Sequence, residues 1–171
     1  DRTVAVNLKG VWLCMRAEMK QMLRQKSGGA IVNTASVAGL VSERGYPAYA
    51  AAKAGVIQLT RTAAVEYAPA GIRINTICPG AIATPMIDRS LEKMSFAGLA
   101  PGANHKSPLN WLTGKILKLR PAQKAMVNFL APMGRMGKPE EIAEAAVFLC
   151  SDKAAFMTGQ MMIIDGGMTA A

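Results

Sequence analysis

The sequence predicts an α/β protein, a parallel sheet covered by helices, and two observations carry that prediction. Segments with helical hydrophobic spacing take turns with short apolar or alternating runs, and the switches fall at glycine or proline. The resulting order is helix, strand, helix, strand, long excursion, helix, strand. That is the rhythm of parallel strands joined through helices.

Residues 3–26 read as the first helix, with Val6, Val11, Leu13, Met15, Met19, Met22 and Leu23 as its apolar stripe. Ser27-Gly28-Gly29 is expected to end it, since glycine suits a helix C-terminus. Residues 30–35, a β-branched apolar run, read as a buried strand. A loop with Gly39 and Gly45 leads to a long helix over residues 47–68, where Val56, Leu59, Ala63 and Tyr67 recur at helical spacing. Pro69-Ala70-Gly71 stops that helix, and residues 72–77 alternate apolar and polar as a second strand. Pro79-Gly80 turns the chain out. Pro139 starts a third core helix, with Glu140 and Glu141 at its positive end, running to about Cys150. Met161-Met162-Ile163-Ile164 is the last strand, and Gly166 and Gly167 read as turn residues.

In the long excursion, Leu109, Leu112, Ile116 and Leu119 predict an amphipathic helix beginning near Pro108, with a second short helix from Pro121 to Leu130. Met86, Met94, Phe96, Leu99, Trp111 and Phe129 either line an apolar pocket under a lid or simply pack the excursion onto the core. Lys115, Lys118 and Arg120 read as a solvated face, with an anionic substrate or a membrane surface as the alternative.

Composition removes several function classes. A chain of 171 residues is one domain or part of one, and 51% apolar against 18% charged residues describes a globular protein. No apolar run has the length of a membrane span, and no secretory signal pattern follows Asp1. Cys14, Cys78 and Cys150 are odd in number and widely spaced, so reduced thiols are expected in place of disulfides or a metal site. The expected compartment is cytoplasmic. His105, the only histidine, sits in a polar loop-like stretch. The net charge of +9 comes from scattered residues without interleaved aromatics, which argues against nucleic-acid binding and for a solvated basic surface that helps collect an anionic cofactor.

Tyr49 and Lys53 stand four residues apart on a predicted helix and therefore share a face. A phenol with a pKa near ~10 is a poor acid or base at neutral pH. An ammonium ~5–6 Å away, at an effective dielectric of about 20, favours the phenolate by roughly 3 kcal/mol. That equals about two pKa units, enough to bring the phenol toward the range useful for proton transfer. Ser36 follows the first strand, at the sheet edge where α/β proteins place ligands.

Asn33-Thr34-Ala35-Ser36 followed by Tyr49-Ala50-Ala51-Ala52-Lys53 resembles the strand-end serine and YxxxK helix of the short-chain dehydrogenase/reductase family. Val6-Asn7-Leu8-Lys9-Gly10-Val11 is similar to its asparagine segment. The run from Ile74 through Pro79-Gly80 to Thr84-Pro85-Met86 is similar to its PG motif, and residues 134–143 and 158–167 to its closing segments.

The resemblance implies a Rossmann-like, doubly wound parallel sheet with helices on both faces and an NAD- or NADP-dependent interconversion of a secondary alcohol and a ketone. It implies Tyr49 as general acid/base, Lys53 as its pKa modulator and ribose ligand, and Ser36 as a donor to the substrate oxygen. Asn7 would hold a relay water, and Pro79, Gly80, Ile82 and Thr84 would line the nicotinamide. Two local readings stand beside these: Asn7 as a helix-kink hydrogen bond, and Thr84 as a helix cap before Pro85. The resemblance also implies a homo-oligomer, a dimer or tetramer paired through the helices at residues 3–26 and 47–68.

The family's Gly-rich pyrophosphate turn, its NNAG segment and the residue that selects NAD or NADP have no counterpart here. The sequence is therefore expected to be a fragment or the product of an incomplete gene, a single partial domain over residues 1–171 with residues 87–132 as an extended substrate loop. Without the missing half, the alternative is a truncated, non-catalytic subunit acting in binding or assembly.

Overall fold

The computed structural model describes residues 2–41, 45–87 and 131–170. The helices expected from Pro108 and Pro121, their apolar and basic residues and His105 lie outside the described residues. The chain clusters into two compact units, Asp1–Gly80 with Glu140–Ile164, and Ala81–Pro139 with Asp165–Ala171.

In the first unit the apolar runs form three parallel strands: β1 (Gly29–Thr34), β2 (Ile72–Pro79) and β3 (Met161–Ile164), in spatial order β1-β2-β3. The register sets Gly29 opposite Ile72 and Thr34 opposite Ile77, so the two strands start together and β2 continues past the end of β1 to Pro79. Thr76 through Pro79 of β2 pair with Met161 through Ile164 of β3.

The first helix is interrupted. It opens as α1 (Arg2–Val4), loosens into a π segment at Ala5–Lys9 and continues as α2 (Gly10–Gln25). Only part of its expected stripe is covered: Met15 and Met19 are buried and Val11 and Met22 pack on the same cluster, whereas Val6, Leu13 and Leu23 are exposed. Its stop is also different. Lys26, not a glycine, takes the left-handed conformation (φ 58°) and donates its N–H to the Met22 carbonyl at 3.1 Å. The glycines serve a close approach instead: a Cβ on Gly28 would stand 2.7 Å from the Gly71 carbonyl oxygen.

α3 (Pro47–Tyr67) begins with proline at its first turn and buries Ala52, Lys53, Val56, Ile57, Thr60, Ala63 and Ala64. With α2 it covers one face of the sheet, in clusters that include Ile31, Ile72 and Ile74 and Ala35, Val56, Ile57 and Cys78. α4 (Pro139–Cys150) covers the other face through Leu149, packed with Ile77, Val32 and Ile142. The second strand read from the alternation of residues 72–77 forms, and helices on both faces make it a buried central strand. Its polar residues are enclosed too.

Most of the buried polar groups find partners; among the described residues the Thr76 hydroxyl on β2 is the exception. Asn33 donates to Thr60 Oγ1 at 2.9 Å and to Met15 Sδ at 3.2 Å. Asn75 donates to the Met157 carbonyl at 2.7 Å and accepts the Gln160 N–H at 3.0 Å, tying the segment before β3 onto β2. Arg73 reaches the end of α4, with Nη1 2.8 Å from the Leu149 carbonyl and Nη2 3.1 Å from that of Ser151. A helix C-terminus leaves such carbonyls without partners, and a guanidinium answers them with charge as well as hydrogen bonds.

In the second unit, Ile82 and Gly137 form a parallel bridge. The Asp165 carboxylate accepts the N–H groups of Gly167 and Thr169 and the Thr169 hydroxyl at 2.8–2.9 Å. Gly166 and Gly167 there have positive φ, as turn residues do.

Replacing Arg73 with Met should lower stability by roughly 2 kcal/mol, because both carbonyls lose a charged donor while the aliphatic packing is retained. The change in denaturant midpoint measures it. A midpoint within error of the parent would show that these carbonyls need no guanidinium.

Candidate active site

At the C-terminal edge of the sheet β1 ends beside β2, because Thr34 pairs with Ile77 and the Ala35 N–H donates to the Ile77 carbonyl at 2.9 Å. Ser36 leaves that edge in extended conformation and caps the 3₁₀ turn Val37–Gly39, its Oγ accepting the Ala38 N–H at 3.2 Å. Val37 and Ala38 are buried, so the turn is fixed against the first unit rather than free in solvent.

From α3, Lys53 points back to the same edge. It is only 9% exposed, and Nζ donates to the Thr34 carbonyl at 2.9 Å. Nζ also lies 5.6 Å from the centroid of the half-buried Tyr49 ring, one helical turn earlier, within the range in which a cation feels the ring. Lys53 thus touches both β1 and Tyr49. The turn after Ser36 reaches the α3 backbone at Lys53 and Ala54, since a Cβ placed on Gly39 would meet backbone atoms of both residues within 3.1 Å.

Cys78, on β2, is fully buried in the cluster formed with Ala35, Val56 and Ile57. Burial pushes its thiol up, while the Ser36 N–H and the charges of Arg61 and Lys53 work the other way. Burial lowers Lys53 below the ordinary lysine range, opposed by its interaction with Cys78.

The remaining expected residues are distributed as follows. Asn7 lies in the π segment, the kind of helix irregularity often found at functional sites. Its side-chain amide donates to the Thr3 carbonyl at 3.0 Å, the bond of the alternative, helix-kink reading. Pro79 closes β2 opposite Ile164, and the Gly80 N–H donates to the Ile164 carbonyl at 3.0 Å. Ile82 and Thr84 belong to the second unit. The Thr84 hydroxyl donates to the Ile82 carbonyl at 3.3 Å. Met86 is exposed. Three contributors escaped the sequence: the Thr34 carbonyl, the Cys78 thiol and Gly39. The pairing of the two strand ends would have indicated Cys78; nothing local marks the others.

Among the described residues no group of His, Cys, Asp or Glu is arranged to hold a metal ion. An ammonium with one of its three N–H donors on Thr34 suits a ligand that presents neighbouring hydroxyls, such as the ribose of a nucleotide. In the same described set, no helix is long and apolar enough to cross a membrane.

A family model described as short chain dehydrogenase matches residues 1–95, and one described as enoyl-(acyl carrier protein) reductase matches residues 107–169. A 2,5-dichloro-2,5-cyclohexadiene-1,4-diol dehydrogenase from Sphingobium indicum is 38% identical over 169 residues, which are 99% of this chain and 57% of the relative. An inactive 2-(S)-hydroxypropyl-CoM dehydrogenase from Xanthobacter autotrophicus is 43% identical, covering 99% of this chain and 63% of its own. Among solved structures, levodione reductase superposes with a TM-score of 0.79 at 39% identity, over 98% of this chain and 57% of that one. A 4-hydroxyisoleucine dehydrogenase complexed with NADH gives 0.77 at 31% identity, over 98% and 58%. The chain spans 57% to 63% of the length of these proteins.

The lowered pKa of Lys53 has a definite sign for stability. Between its folded pKa and the unfolded value near ~10.4, the unfolded chain binds more protons, so this residue makes stability rise with pH there. Thermal unfolding of the parent and of Lys53→Met across the alkaline range should show that the parent's gain relative to the variant grows with pH. Parallel curves would mean that burial leaves the lysine unperturbed.

Proposed function

Because this chain belongs to the short-chain dehydrogenase family, we propose that the protein carrying it is an NAD(P)-dependent oxidoreductase that interconverts a secondary alcohol and a ketone. The observation that carries the reading is the placement of the Lys53 ammonium at 5.6 Å from the Tyr49 ring and at the edge from which Ser36 departs. A six-membered carbocyclic alcohol is the substrate class we favour. Support for it comes from the dichlorocyclohexadienediol substrate in the name of a 38% identical relative.

In reduction, the Tyr49 phenol gives its proton to the carbonyl oxygen; in oxidation, the phenolate takes the proton of the alcohol. Ser36 donates to the same oxygen and stabilises charge developing there. Lys53 keeps phenolate and phenol close in energy and holds the ribose hydroxyls with the donors not committed to Thr34. Asn7 holds a water that leads to Lys53. Pro79, Gly80, Ile82 and Thr84 would be the residues that line the nicotinamide. The nicotinamide, when bound, supplies or accepts the hydride. NADH in one structural neighbour supports this cofactor class.

Pairing of two copies through α2 and α3 is part of the reading, supported by the exposed Leu13 and Leu23 on α2 and Val65 on α3. A second reading, a non-catalytic binding or assembly subunit, is favoured by the 43% identical relative whose name marks it inactive.

Replacing Tyr49 with Phe in the complete protein should cut turnover of a cyclic secondary alcohol ~100-fold or more. Cofactor affinity should stay within about threefold, since the ring and Lys53 remain. Absorbance of the reduced nicotinamide follows the first, and its fluorescence titration the second. Turnover undiminished in the variant removes Tyr49 from the mechanism; a parent without turnover on any such alcohol favours the second reading.

A further inference from the structure

Ser36 is not held in position by its own packing alone. It heads a single 3₁₀ turn, and that turn ends at Gly39 against α3. An ideal Cβ at position 39 would lie 2.8 Å from Ala54 N, 2.8 Å from the Lys53 carbonyl carbon and 3.1 Å from the Lys53 oxygen. All three are backbone atoms of a helix held by its own hydrogen bonds, so no rotamer change can clear the space. The other end of the segment is equally fixed, by the Ala35 N–H on the Ile77 carbonyl at 2.9 Å. Between them Val37 and Ala38 are 5% and 3% exposed, which leaves the turn no void to yield into.

We infer that Gly39 is a positioning residue for the reaction: its missing side chain sets how closely the Ser36 turn approaches α3 at Lys53, and therefore where the Ser36 hydroxyl stands relative to Tyr49. Any larger residue drives the turn off the helix. Because the strand end is pinned, the displacement is taken up at Ser36 and Val37. The inference rests on the reading that Ser36 and Tyr49 act on one substrate oxygen, and it adds a residue that touches neither substrate nor cofactor.

The test is a double-mutant cycle in the complete protein with Gly39→Ala, Ser36→Ala and both together. Gly39→Ala alone should lower kcat about 10- to 100-fold, the scale expected when a reacting group is displaced by a fraction of an ångström to an ångström. The KM for the nicotinamide cofactor should barely change. In the Ser36→Ala background the same substitution should cost less than about threefold, because the group it misplaces is already gone. An equal loss in both backgrounds would show a general structural effect and overturn the inference. Near-parent turnover in Ser36→Ala would instead remove the underlying reading of Ser36. If Gly39→Ala does not fold, Val37→Ala, which loosens the same buried turn without adding an atom, takes its place in the cycle; additive losses there overturn the inference in the same way.

Discussion

A buried ammonium that must have a partner is the constraint on which the first unit depends. Lys53 is 9% exposed, in the middle of a helix whose neighbours Ala52, Val56 and Ile57 are core. An isolated charge there would cost several kcal/mol, on the order of what a small domain's whole stability allows. The Thr34 carbonyl answers it at 2.9 Å. That bond is available only because a parallel strand ends with its last carbonyls at the same edge as the helix that follows it. The lysine therefore locks α3 to β1, and the Tyr49 ring, one helical turn away, is placed by the same contact.

The rest of the unit keeps that edge in register. β2 is covered on both faces, so slipping it by one residue would exchange the Ile72, Ile74, Cys78 side for the Arg73, Asn75, Ile77 side. Each side has its own commitments. Asn75 and Arg73 are bonded to the segment before β3 and to the end of α4, while Ile74 and Cys78 fill clusters under α3. Wrong registers would leave a guanidinium or an amide buried in an apolar cluster. The polar residues of β2 therefore specify the alignment of the strand ends more sharply than its apolar ones do.

Much of this was legible in the sequence, and the parts that were not share a cause. The elements, their parallel order and the Tyr49–Lys53 face follow from periodicity, proline and glycine, which are local signals. The membership of the family was readable from motif order over nearly the whole chain. What periodicity could not supply was the burial of polar residues on β2, the exposure of Leu13 and Leu23, and the left-handed Lys26 where glycine was expected. These depend on which elements cover which face, and on Gly28 being needed against Gly71 instead. The Thr34 carbonyl is a backbone atom and carries no residue signature at all.

In the proposed reaction, burial acts on the Lys53 charge in two opposing ways, and their balance decides how effective the pair can be. In bulk water an ammonium 5.6 Å from the ring would favour a phenolate by about 0.7 kcal/mol. At an effective dielectric of ~20 the coupling rises to about 3 kcal/mol, so enclosing the lysine multiplies its influence on Tyr49 roughly fourfold. The same enclosure lowers the lysine's own pKa, and a lysine that loses its proton loses the coupling entirely. The Thr34 carbonyl works against that loss because it accepts a hydrogen bond more strongly from an ammonium than from a neutral amine. A phenol next to a lysine on an exposed helix would keep the cation yet gain little from it, and one next to a lysine buried without an acceptor would have no cation. The site needs helix α3 and the end of β1 together, and neither element makes it alone.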